Sequence, residues 1–151
     1  SRPNDQSISQ LRYEGYVQAL ESHGIPVDPE LVISTGGFGA KDAYRAVQEK
    51  MAENVDFTAL FAIADSMAIG AMRALMDAGR RIPEDCSVIA IDGLELSAYI
   101  EPPLTTLCQP MEEMGRRSAE ILLDMVRHKG SHACELLPTT LRQGRSVAAP
   151  R

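Results

Sequence analysis

Residues 58–93, TALFAIADSMAIGAMRALMDAGRRIPEDCSVIAIDG, constrain the fold more than any other part of the chain. They read as an apolar strand, an acidic helix start, a helix, a turn, and a second apolar strand closed by another acid. Neither strand alternates polar with apolar residues, so each is expected to be covered on both faces, as strands of parallel sheets are. Two such strands joined by a helix form a βαβ unit with a right-handed crossover. Asp65 and Asp92 then fall at the carboxyl ends of their strands, on the sheet edge where open parallel sheets bind ligands.

Size and charge narrow what such a sheet can belong to. A chain of 151 residues is one domain or a small domain with added pieces. A net charge of −6 argues against direct nucleic-acid binding, which needs clustered Lys and Arg. Arg80-Arg81 and Arg116-Arg117 are isolated pairs that read as solvated surface. No apolar run approaches the roughly 20 residues of a membrane helix, and the polar opening SRPNDQSISQ carries no signal-peptide pattern. Cys86, Cys108 and Cys134 are odd in number and widely spaced, which fits reduced thiols in a cytoplasmic protein. His132 and Cys134 are the one close pair of soft ligands, too few for a zinc site, so neither metal nor cofactor is expected.

Along the chain, the pattern predicts a helix ending near His23, with Asp5, Ser7 or Ser9 as N-cap and Gly24 as stop. Leu11, Gly15, Tyr16, Ala19 and Leu20 are its expected buried stripe. A short strand over 31–34, the loop TGGFG, and a helix from Lys41 to Glu53 follow. After the central βαβ unit come an irregular stretch, a strand at 105–108 and a long helix from Pro110 to His128. Short extended pieces are expected at 136–137 and 140–142. Alternating strands and helices make the class α/β. The opening on a loop and helix, with no strand before them, is unusual for such a sheet.

Three residues stand out as ligand contacts. Asp92 has no obvious helix behind it to cap, so its carboxylate is free to accept hydrogen bonds from a hydroxyl or amino group. Asp65 sits where a helix begins and is expected to cap it. The TGGFG loop fails both nucleotide fingerprints, because Asp42 occupies the last position of GxGxxG and no GK[ST] follows. It reads instead as a turn that lifts Phe38 over the sheet edge, either to stack on a ligand ring or to seal the core. Arg12 is a surface arginine or, if its helix start faces the same edge, a fork for a hydroxyl pair or carboxylate. No GxSxG elbow or histidine-nucleophile pattern supports catalysis. Ile69, Met72 and Met76 pack inward or form an exposed stripe for a partner subunit.

Five ordered segments resemble one family: LRYEGYVQALESHGI, FAIADSMAIGAMRAL, GRRIPEDCSVIAIDG, PPLTTLCQPMEEMGRRSAEILL and PTTLRQGRSV. Together they are similar to the lactose-repressor (LacI/GalR) transcription regulators, over nearly the whole chain. The resemblance implies the C-terminal part of an effector-binding core with a periplasmic-binding-protein-like fold, its sheet incomplete at the N-terminus. It places Arg12 on the effector-contacting arginine, Phe38 on the stacking aromatic, Asp92 on the hydroxyl-accepting acid and Asp65 on the acid at the helix start. Ala64 stands where many members carry a site asparagine. Ile69 and Tyr99, with Met72 on the same helix, fall on the expected dimer contact, and residues 110–137 resemble segments that cross to a first lobe.

The expected function is sensing of a small effector, a sugar or sugar derivative before a purine, by a homodimer. DNA would be reached only through an N-terminal head outside this span. A solute-binding protein of a sugar transporter is the alternative, and an α/β enzyme a distant third. In the family a strand that precedes Ser1 lies inside this lobe's sheet. Its gap would expose apolar side chains and unpaired backbone, which predicts association or rearrangement.

Overall fold

The computed structural model describes residues 7–128 and 134–149. Among them are helices α1 (Ile8–Ser22), α2 (Ala40–Ala52), α3 (Asp65–Asp77) and α4 (Met111–His128). The strands are β1 (Ala59–Phe61), β2 (Ser87–Asp92), β3 (Thr105–Cys108) and β4 (Thr140–Arg142). They form one sheet in the order β1-β2-β3-β4. The first three run parallel, with Ala59 opposite Ser87 and Asp92 opposite Cys108, and β4 closes the far side antiparallel.

The β1-α3-β2 unit follows the predicted order with α3 as its packing centre, but β1 is only Ala59–Phe61 and is not covered on both faces, since Ala59 and Phe61 are exposed. Met67, Ala68, Ala71, Met72, Ala74 and Leu75 are all buried. A residue such as Leu75, fully withdrawn from water, contributes about 1.5–3 kcal/mol through its apolar surface. Small residues on α3 let α2 come close. A Cβ at Gly70 would lie 1.9 Å from the Ala40 carbonyl oxygen, so only a hydrogen fits between these helices.

Behind β4 the chain laces the sheet at the end opposite the strand C-termini. The buried Ser146 hydroxyl donates to the Val88 carbonyl (2.6 Å) and accepts from the Thr105 N–H (2.8 Å). The Val88 N–H reaches the Ser146 carbonyl at 2.7 Å, and the Ala148 N–H reaches the Ser87 hydroxyl at 3.1 Å.

Several expectations need correction. The segment 31–34 is no strand: Pro29–Leu31 form a 3-10 turn capped by Asp28, and the residues after it have no strand beside them. Helix α1 begins as expected at an N-cap Ser7, whose hydroxyl accepts the Gln10 N–H, but it buries no residue and Leu11 is exposed. Of its expected stripe, Tyr16 and Leu20 are half-buried, and Leu11, Gly15 and Ala19 are exposed. Residues 136–137 join no ladder, and among the described residues after α4 it is β4 that continues the sheet. Asp5 and His132 lie outside the described residues.

Candidate functional site

Three strands deliver polar groups to one rim. β2 ends at Asp92, β3 ends in register beside it and continues into Gln109, and β1 leads through Ile63 into the first turn of α3. All are carboxyl ends, where parallel strands leave room for a ligand.

Asp92 is the centre of this rim. One carboxylate oxygen, Oδ1, accepts from the Gln109 side-chain amide at 2.8 Å and lies 3.7 Å from the Arg12 guanidinium. The other, Oδ2, accepts the Asp65 backbone N–H at 3.3 Å. The Gln109 backbone N–H also binds the Asp92 carbonyl at 3.1 Å. These contacts hold Asp92 at φ 138°, a region few side chains adopt, and such strain concentrates at functional sites. The next residue, Gly93, has φ 80°, and a Cβ there would meet Cys108 at 2.6 Å. Only glycine can follow Asp92 at this distance from β3.

Arg12 reaches the rim from α1. Its guanidinium donates to the Ile63 carbonyl while facing Asp92, and its side chain is only 19% exposed. Phe38 reaches it from the loop before α2, where the Ser66 hydroxyl donates to the Phe38 carbonyl at 2.8 Å. Ser66 follows Asp65, so Phe38 and Asp92 flank the same helix turn. Phe38 is 57% exposed, which favours an open stacking ring over a core seal. The structure thus brings Arg12, Phe38 and Asp92 to one edge of the sheet. Ala64 lies there too as the N-cap residue of α3, but it is buried and its side chain has no polar atom.

Asp65 differs from expectation. It is the first residue of α3, not its cap, and no side chain caps this helix from within. Its fully buried carboxylate accepts from the Leu94 N–H (2.8 Å), the Ser97 hydroxyl (2.7 Å) and the Thr106 hydroxyl (2.5 Å). Arg142 of β4 stands 4.0 Å from it and donates to the Leu94 carbonyl at 2.9 Å. A buried charge needs such partners, and the local helix ends supply fewer of them. The capping role passes to Asp92, which serves the first turn of α3 from another strand. Asp92 was expected to have no helix to cap, and that expectation fails as well.

The candidate dimer residues separate. Tyr99 is 78% exposed and Ile69 is half-buried, so both can meet a partner. Met72 is 1% exposed and packs in the core, because its position on α3 points toward the sheet. It cannot contribute to a surface. Met76, Leu94 and Leu96 are exposed instead.

Gln109 and the Asp65–Thr106–Ser97–Arg142 knot escaped the sequence reading. Gln109 had a signal, a polar residue directly after a strand that pairs with β2. Arg142 had none, since its contacts cross from the last strand. Among the described residues no group of three His, Cys, Asp or Glu could hold a metal, and no helix is long and apolar enough to cross a membrane.

The sequence and the fold were compared with those of known proteins. Residues 1–147 match the model of the periplasmic binding protein-like domain. The chain is 37% identical over 138 residues to the HTH-type transcriptional regulator MalR of Clostridium butyricum, covering 91% of this chain but 41% of that protein. The crystal structure of a LacI-type transcription regulator from Bifidobacterium animalis subsp. lactis superposes with a TM-score of 0.90 at 28% identity, over 98% of this chain and 53% of that one. A complex of the transcriptional regulator CelR with cellobiose gives 0.85 at 34% identity, over 95% and 44%. The chain spans only about two fifths to a half of these relatives. It belongs to the periplasmic binding protein-like domain family, in the form of that domain carried by LacI-type transcription regulators.

Proposed function

We propose that this chain is the effector-sensing and dimerisation portion of a LacI-type DNA-binding regulator in the cytoplasm. Its ligand is a small polar molecule, a sugar or sugar derivative ahead of a purine. The pairing of Arg12 and Asp92, 3.7 Å apart, carries the reading, with the exposed Phe38 on the loop tied to Ser66 in the next helix turn. A carboxylate and a guanidinium side by side recognise vicinal hydroxyls, since one accepts and the other donates. An aromatic face covers the apolar side of a sugar ring. CelR, similar over most of this chain, has a structure with cellobiose.

The ligand would act by population shift, favouring one arrangement of two lobes and so altering how the dimer presents its DNA-binding heads. Residues 110–137 would belong to the crossing between lobes, and no described residue of α4 is buried in this one. Ile69 and Tyr99, with Met76 and Leu96, would form the homodimer contact. DNA would be held by a separate domain, consistent with a net charge of −6 here. No cofactor, metal or catalytic step is part of this function. The transporter alternative finds less support, because the matched relatives are transcription regulators.

The test is Asp92→Ala in the full-length regulator, after a thermal-shift screen of sugars and purines has found the effector. DNA binding that no longer responds to effector, in a folded protein, is expected. An unchanged response would remove Asp92 from the site.

A further inference from the structure

Between Gly93 and Tyr99 the usual sorting of residues is inverted. Leu94, Leu96 and Tyr99 are exposed, and the fully buried residue is the polar Ser97. Residues Glu95–Ala98 form a 3-10 turn with no side-chain cap and no large apolar side chain buried. Polar contacts from two distant elements set its path instead. The Asp65 carboxylate of α3 takes the Leu94 N–H and the Ser97 hydroxyl. Arg142 of β4 donates to the Gly93 carbonyl (3.5 Å), the Leu94 carbonyl (2.9 Å) and the Ser97 hydroxyl (2.5 Å). Its Nε–H is buried without an acceptor among the described residues, so the guanidinium is placed for its outer nitrogens at some cost to stability.

We infer that Arg142 is a positioning residue for the homodimer contact. It sets the path of residues 93–99 and so presents Leu96 and Tyr99 to a second copy of the chain. The inference rests on the proposed homodimer contact and deepens it. Arg142 acts from a rigid base, since it pairs in register with Thr106 of β3, and a strand holds a side chain more closely than a loop does. The shape of the guanidinium matters more here than its charge. Two carbonyls and a hydroxyl lie around its outer nitrogens, and a planar fork meets them in one fixed geometry, whereas a lysine ammonium is a point charge without that spread. The charge has a separate use, standing 4.0 Å from the buried Asp65 carboxylate that it offsets. A side chain that keeps the charge and loses the fork therefore separates stability from positioning.

The experiment uses the full-length regulator, with association read from a sedimentation dilution series and Tm from thermal unfolding. Hydrogen exchange over residues 93–99 is followed at a concentration where parent and variant are both associated. Arg142→Lys keeps the charge beside Asp65 and is expected to hold its Tm. It should still weaken association about tenfold, the size of one lost charge-assisted hydrogen bond, and speed exchange at Leu94, Ser97 and Tyr99. Arg142→Met should weaken association as much and lower Tm as well. Leu96→Asp probes the surface itself and should dissociate the copies. Unchanged association in Leu96→Asp would overturn the homodimer contact and this inference together. Dissociation in Leu96→Asp with parental association in Arg142→Lys would overturn the Arg142 role alone. So would unchanged exchange at 93–99 in Arg142→Lys, or association that falls only where Tm falls.

Discussion

Asp92, the last residue of β2, accepts the backbone N–H of Asp65, the first residue of α3, at 3.3 Å. The acid proposed to meet the ligand therefore also caps the helix that carries Ile69, one residue of the proposed dimer contact. A ligand hydroxyl that competes for Asp92 would loosen the start of α3.

Replacing Asp92 by Ala should cost the isolated fold about 0.5–2 kcal/mol, the usual value of an N-cap carboxylate. Urea denaturation of the 151-residue chain measures it. Gln109→Ala should leave the cap in place and cost less, while still weakening effector response in the complete regulator. Equal stability losses in the two variants would break this ranking.

Asp65→Ala should be far more damaging. It leaves the Ser97 and Thr106 hydroxyls and the Leu94 N–H without their shared acceptor, and removes the ion-pair partner of Arg142. Removing one partner of a buried charge network costs about 3–5 kcal/mol. Thermal unfolding would show this as a large fall in Tm, and Asp65→Asn should recover part of it by keeping one acceptor.

Gly70→Ala adds one methyl where the Ala40 carbonyl already stands. The helices must separate, so a loss of about 1–3 kcal/mol is expected, as for overpacked cores. The same exchange at Gly15, where nothing lies within 4 Å, should be neutral or mildly stabilising. Chemical denaturation of the pair separates packing from propensity.

Burial pushes the Cys86 thiol up to about 11, so almost none is thiolate at neutral pH. Cys108 is half-buried and Cys134 exposed. A colorimetric disulfide reagent at pH 7.5 should label Cys134 quickly and leave Cys86 unmodified until the chain unfolds. Mass spectrometry of the labelled peptides assigns each site, and early modification of Cys86 would contradict its burial.

The central βαβ unit was legible because its evidence is local: two continuous apolar runs, a helical period and a closing acid. The position of Asp92 on the rim followed from the same logic. Its cap role was hidden, because the helix it serves follows a different strand. Asp65 shows the converse. Local chemistry favours a cap, but three donors brought from residues 94, 97 and 106 outcompete the helix turn. The apolar run 31–34 carries strand propensity without a neighbour, and a strand needs one. Met72 shares a helix with the half-buried Ile69, and only three-dimensional phase tells which of them faces out.

The lacing by Ser146 and Ala148 bears on how this protein can be handled. Ser146 joins β2 to β3 and Ala148 holds the start of β2, at the end remote from the Asp92 rim. A fluorescent or affinity fusion joined after Ala149 therefore leaves the sheet closed and is attached at the end away from Asp92. Cutting the chain back to Arg145 would unpick the seam between its two innermost strands.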